Sequence, residues 1–231
     1  MPKLKELDDK VLEAKTHDTY KDYYDVRLTY EDLHSLKEDE WLTDNIICFW
    51  EEWLEREFLK GQRKHIVLLR PSMSYMLLKT KDTDSLRGVL PDLSGVSHIF
   101  IVINDNENAN QVEGGSHWSL LLVSVSDKRT FHYDSLACAN EFEAEALTKK
   151  IGRLVGKEMK CVQVRSSPQQ SNQSDCGIYV CMIMEYLLKH RICTVGRDQT
   201  VSMELDGVKF KASEARQSLF ETIQSSETES H

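Results

Sequence analysis

The chain has 231 residues, 40% hydrophobic and 29% charged, with a formal net charge of −9; that is room for one sizeable domain. Such an acidic balance argues against a nucleic acid or an anionic membrane as main partner, because both ask for a basic face, and favours a partner with a basic tail. The six cysteines, Cys48, Cys138, Cys161, Cys176, Cys181 and Cys193, form no CxxC pair and no Cys/His set of zinc spacing, so no disulfide, metal or other cofactor is expected.

The first residues lack the apolar stretch of a signal peptide, which makes cytoplasm or nucleus the expected compartment. Residues 1–25 carry a weak helical pattern in a charged setting and read as an N-terminal extension. In "WLTDNIICFWEEWLEREFLK", Thr43 or Asp44 is placed to cap a helix whose apolar face is Ile46, Ile47, Trp50, Trp53, Leu54 and Phe58. A short strand at 65–69 and a helix at 72–79 follow, then a β-branched strand at 97–103 and the long polar loop 104–116. "HWSLLLVSV" and "RTFHYD" read as strands around the turn "SDK". The segment 141–156 reads as a helix with Phe142, Leu147, Ile151 and Leu154 inward, and 160–164 as one more strand.

After a polar loop at 165–175, Cys176 opens a helix that is apolar nearly all round and should run through the middle of the fold. A final helix is expected over 209–224 and a disordered tail over 225–231. Helices and strands interleave irregularly, which is the α+β class. The expected domain spans 26–193, followed by a C-terminal segment, 194–224, packed on it.

A thiol at the first turn of a helix feels the positive end of the helix dipole, which favours the thiolate, so Cys176 is a candidate nucleophile; Gly177 after it would admit a substrate backbone. His117 is the candidate base, at the junction of the long loop with an apolar strand; His132, within the next strand, could equally be an ordinary half-buried side chain. Asp134 would orient the base. A hairpin centred on Asp127 and Lys128, however, sets Asp134 opposite Leu121, about 13 Å along the strand from His117. A bulge, an earlier turn or a bend must close that gap. Gln169, Gln170, Asn172 and Gln173 supply amides for an oxyanion hole beside the Cys176 N–H, or else form a solvated loop.

At "GGSHW", "HYDS" and "PQQSNQSDCGIYVC" the sequence resembles the ubiquitin-like-protein proteases, the Ulp/sentrin-specific family of cysteine peptidases. The resemblance implies a papain-like fold of the Ulp type: a central mixed sheet flanked by helices, with the nucleophile at the N-terminus of a buried helix. It implies His117 as base, Asp134 as its orienter, Cys176 as nucleophile and Gln170 as the oxyanion amide. It also makes Trp41 and Trp118 the roof of a tunnel that passes only a Gly-Gly tail, with Asp44 in contact with that tail; without the resemblance both tryptophans read as core residues.

Within the family, "INDNENANQVEGGSHWSLLL" looks like the branch acting on the neddylation modifier, Nedd or Rub, with Asn104, Asp105 and Asn106 as candidate discriminators. The partners so implied are that modifier, or SUMO, and its conjugates such as cullins; nothing asks for more than a monomer. The competing readings are a SUMO protease, an acyltransferase with the same His-Asp-Cys order, and an inactive binder of a modifier tail.

Overall fold

The computed structural model describes residues 4–9, 11, 15–60, 65–106, 114–193 and 201–227. Strands β4 (His98–Asn104) and β5 (Trp118–Ser124) carry apolar side chains on both faces. Phe100, Val102, Leu120 and Leu122 enter one core; Ile99, Ile101, Ile103, Leu121 and Val123 enter another. Strands with no polar face must be covered on both sides, so the rest of the chain is laid over them in two layers.

These two strands are the antiparallel centre of a five-stranded mixed sheet. β3 (Ile66–Leu69) runs parallel to β4 at one edge, β6 (Arg129–Tyr133) pairs antiparallel with β5, and β7 (Lys160–Gln163) closes the other edge parallel to β6. One face carries the helix opened by the cysteine (Cys176–Leu187), the tryptophan-rich helix (Asp44–Trp53) and the C-terminal helix (Ala212–Ser225). The other face carries Pro71–Lys79 and Glu141–Val155. Numbered in chain order among the described residues, the α-helices are α1 (Tyr30–Ser35), α2 (Asp44–Trp53), α3 (Pro71–Lys79), α4 (Glu141–Val155), α5 (Cys176–Leu187) and α6 (Ala212–Ser225).

The strands and helices expected from residue 65 onward are present, within one to three residues at their ends. Of the loop 104–116, residues 107–113 lie outside the described residues, as do 194–200 and 228–231 of the C-terminal segment and tail. The hairpin of β1 (Thr19–Tyr23) with β2 (Val26–Thr29), followed by α1, was not expected. Its two-residue turn uses Tyr24 at a positive φ of 49° in place of the glycine or asparagine that signals such a turn. Tyr23 is fully buried, so the line drawn between residues 25 and 26 crosses the turn of a hairpin rooted in the core.

Two local expectations are corrected. Phe142 does not point inward but is 83% exposed. At 3.6 residues per turn it sits about 140° around the helix from Leu147, while Ala144, Leu147, Ile151 and Leu154 face the sheet. Gly177 does not leave room for substrate backbone: a Cβ there would stand 2.9 Å from Leu42 Cβ, so the missing side chain admits the segment that carries Trp41. Phe142→Ala is therefore expected to change stability by no more than about 0.5 kcal/mol, and Leu147→Ala to cost about 2–5 kcal/mol. Urea unfolding of both variants checks this, and similar losses for the two would contradict the assignment.

Candidate active site

The ladder between β5 and β6 pairs Ser124 with Arg129 and Leu120 with Tyr133. The turn is thus centred one residue earlier than expected, with Lys128 at a positive φ of 54°. One more step along this register brings Asp134 level with Ser119, two residues or about 7 Å along the strand from His117. The gap left open by the sequence is closed by this shift.

His117 Nε2 donates to Asp134 Oδ1 at 2.6 Å, and both side chains are buried. The carboxylate is held in turn by the backbone N–H of Leu136 (2.8 Å, to Oδ1) and of Asn140 (3.0 Å, to Oδ2). With Nε2 committed, Nδ1 is buried and makes no hydrogen bond of regular geometry, while the Cys176 thiol lies near enough to act on the ring. Burial opposes a charge on this imidazole, but the hydrogen bonds and negative charge of Asp134 and Cys176 outweigh it and raise the His117 pKa to about 9. Burial likewise favours a neutral Asp134, and the His117 and Asn140 contacts overcome it, holding the carboxyl below its ordinary range.

His132, the second imidazole, is a satisfied core residue. Its Nε2 meets Ser119 Oγ at 2.9 Å and its Nδ1 meets Gln163 Oε1 at 2.5 Å, and burial lowers its pKa.

Cys176 is the first residue of α5 and is 1% exposed. The loop before it is tied to the turn after β6 by the two adjacent glutamines. Gln169 spends its whole amide: Nε2 donates to the carbonyls of Asp134 (2.8 Å) and Ser167 (3.0 Å), and Oε1 accepts from Ala137 N (2.9 Å). Gln170 accepts from Ser135 Oγ (2.6 Å) and donates one N–H to the Asn172 carbonyl (2.8 Å), which leaves its second N–H to give.

Trp118 follows His117 on β5, is 5% exposed, and pairs with Asn104. Trp41 is 42% exposed, in the segment that Leu42 seats on Gly177 at the start of α5. Asp44 opens α2 at the surface, crowded enough that desolvation, with the nearby Asp32 carboxylate, raises its pKa against the pull of its own backbone amide. Thr43 is the N-cap of α2 but makes no side-chain cap bond; its hydroxyl donates to Asp32 Oδ1 at 2.6 Å.

Asn104, Asp105 and Asn106 close the neck of the long loop against the two glycines. Asp105 Oδ1 accepts from the backbone N–H of His117 at 3.0 Å and from that of Ser116, and Oδ2 accepts from the Ser116 hydroxyl. Asn104 Oδ1 accepts from Asn106 N at 2.8 Å. A Cβ on Gly114 would collide with the Asn106 side chain, and one on Gly115, at a φ of +93°, with Asn104. The two motifs are halves of one clasp that fixes the backbone of His117.

Sequence reasoning missed Asn140, which donates to Ser119 Oγ (3.1 Å) and, more weakly, to the His117 carbonyl (3.4 Å). Its place just before α4 reads as an N-cap, yet it makes no side-chain cap bond. It also missed Arg216, which reaches the residue before Cys176 from the far end of the chain.

A buried Asp–His pair lies beside a cysteine at the head of a core helix, on a mixed sheet, an arrangement able to support thiol-nucleophile chemistry. The model of the Ulp1 protease family, C-terminal catalytic domain, matches residues 40–196. NEDD8-specific protease 2 of Schizosaccharomyces pombe is 32% identical over 209 residues, covering 88% of this chain and 50% of that protein. Human Sentrin-specific protease 8 is 30% identical, covering 78% of this chain and 84% of that protein. The chain spans half or less of the length of the two fission-yeast relatives it matches. Among solved structures, the C-terminal Ulp1 protease domain in complex with Smt3, the yeast ortholog of SUMO, superposes with a TM-score of 0.65 at 22% identity, over 96% of each chain. The chain belongs to the Ulp1 protease family of cysteine proteases, and its fold is theirs.

Because the folded pKa of His117 stands above its unfolded value of about 6.5, its contribution to stability is full below that pH and is lost as pH rises through about 9. Asp134, whose folded pKa is lowered, contributes above its unfolded value and loses this as pH falls through the folded one. In an imidazole NMR titration His117 is expected to lose its proton near pH 9, and at clearly lower pH in Asp134→Asn. A wild-type midpoint at or below the ordinary histidine value would contradict the site.

Proposed function

We propose that this chain cleaves after the C-terminal Gly-Gly of a ubiquitin-like modifier, the Nedd/Rub type in preference to SUMO. Precursor peptide bonds and isopeptide bonds to lysines of conjugates, cullins among them, are both substrates of this chemistry. The observation that carries the reading is the 2.6 Å contact of His117 with Asp134, which leaves the other imidazole nitrogen for Cys176.

In the mechanism, His117 takes the thiol proton and is stabilised as imidazolium by Asp134. Cys176 Sγ attacks the terminal glycine carbonyl, and the oxyanion is held by the Cys176 N–H and the unspent N–H of Gln170. His117 then gives its proton to the leaving amine, and water, deprotonated by the same imidazole, hydrolyses the thioester. No cofactor takes part.

Trp41 and Trp118 stand on the two segments that flank this point, and between them they would restrict access to the nearly buried Cys176. A tail of two glycines fits such an opening where side chains clash. Asp44, exposed at the start of α2, would meet an arginine ahead of the glycines, a contact weakened by salt. Preference for the neddylation modifier is supported by the S. pombe relative named for NEDD8 and by the contacts of Asn104, Asp105 and Asn106 with residues 114–117. Asn104, Asp105 and Asn106 would serve recognition by fixing the neck of that loop.

The test is hydrolysis of C-terminal fluorogenic amides of the neddylation modifier, SUMO and ubiquitin by the full chain. The first is expected to be cleaved best, Cys176→Ala to abolish cleavage, and Gln170→Ala to lower kcat by about 10²-fold while Gln169→Ala raises KM and lowers kcat together by loosening the loop. Preference for SUMO would overturn the specificity and keep the site. Absence of any Cys176-dependent cleavage would leave an acyltransferase or a binder.

A further inference from the structure

Arg216 on α6 is 2% exposed, although arginine is among the residues least often buried. It lies outside the span matched by the family model. Its guanidinium is fully engaged. Nε and Nη2 donate to Asp175 Oδ1 at 3.0 and 2.7 Å; Nη1 donates to the carbonyls of Ser35 (3.0 Å) and Lys37 (2.7 Å). Nη2 also reaches the carbonyls of Glu40 (2.8 Å) and Ser174 (3.4 Å). One side chain therefore holds both the residue before Cys176 and the residue before Trp41.

The consequence lies at the head of α5. Asp175 is its N-cap, and aspartate at that position ordinarily folds back onto the amides of the first turn. Here it makes no side-chain cap bond. Its carboxylate is turned away to Arg216, so among the described residues the first-turn N–H groups of the nucleophile helix have no side-chain cap and no acidic neighbour in that turn. Those are the groups an oxyanion and a thiolate need.

We infer that Arg216 is a positioning residue that withholds the Asp175 carboxylate from the cap of α5 and so keeps the positive end of that helix open for the reaction. Resting as it does on the peptidase reading, this makes α6 part of the active machinery. If the guanidinium is removed, Asp175 is released to cap the helix, placing a negative charge where the oxyanion and thiolate form. Lysine in its place keeps a charge opposite Asp175 without the fork that binds the carbonyls.

The test compares wild type, Cys176→Ala, Arg216→Met, Arg216→Lys and the double variant Arg216→Met/Asp175→Ala in the fluorogenic assay, at a temperature where circular dichroism shows each variant folded. Arg216→Met is expected to lose about 10²-fold in kcat with KM little changed. The second substitution, Asp175→Ala, is expected to recover most of that loss, because it removes the released carboxylate. Arg216→Lys should keep most of kcat while its thermal midpoint falls with that of Arg216→Met. Should Arg216→Met not fold, Arg216→Gln takes its place, being neutral and still able to donate to the carbonyls.

A double variant no more active than Arg216→Met, or a kcat in Arg216→Lys that falls in step with its stability, would assign Arg216 a structural role and overturn the inference. Cys176-dependent cleavage that survives Arg216→Met unchanged overturns this inference alone. Cleavage untouched by Cys176→Ala overturns the peptidase reading and the inference with it.

Discussion

Asp134 and His117 meet because β6 pairs with β5 in one register and not in its neighbour. Moving the turn by one residue changes which β5 residue stands level with Asp134, from Leu121 to Ser119. In the former case the carboxylate and the imidazole are too far apart to bond. In the latter, the 2.6 Å contact forms, the imidazole holds its charge, and its free nitrogen is left to the thiol. Register is specified by β6 itself, because a one-residue slip would take Tyr133 out of its core and His132 away from Ser119 and Gln163. The site inherits its geometry from the sheet.

The remaining parts are brought to that pair by segments distant in sequence, each locked by polar side chains turned inward. Asp105 holds the His117 backbone, Asn140 bridges to Ser119, and Gln169 ties the cysteine loop to the carbonyl of Asp134. Leu42 on Gly177 seats the Trp41 segment over α5. Such contacts fix a reacting geometry, and they explain why Asn104, Asn140, Gln169 and Gln170 bond to protein groups near the site.

Much of this was legible in the sequence where periodicity or chemistry repeats locally. The buried strands, α2 and α5 follow from runs of apolar residues, and Cys176, His117 and Asp134 stand out by residue type and by motifs shared with a family. What was not legible depends on backbone conformation or on distant partners. The β1–β2 hairpin turns on Tyr24, a residue with no turn signature. Phe142 looked inward because it is apolar, but its angle around the helix decides otherwise. Gly115 carries no local sign that it is a position where a side chain would strike Asn104. Arg216 lies some forty residues beyond Cys176 in a segment without a motif, and no local pattern announces a guanidinium that crosses the fold.

The central claim is that Cys176, poised by His117 and Asp134, attacks the terminal carbonyl of a ubiquitin-like modifier. It is tested most directly by a neddylation modifier carrying a C-terminal electrophile, with the adduct mapped by mass spectrometry in wild type and in His117→Ala. The account predicts a single covalent adduct, on Cys176, formed far more slowly without His117. An adduct on another cysteine, or equal labelling with and without the imidazole, would contradict it.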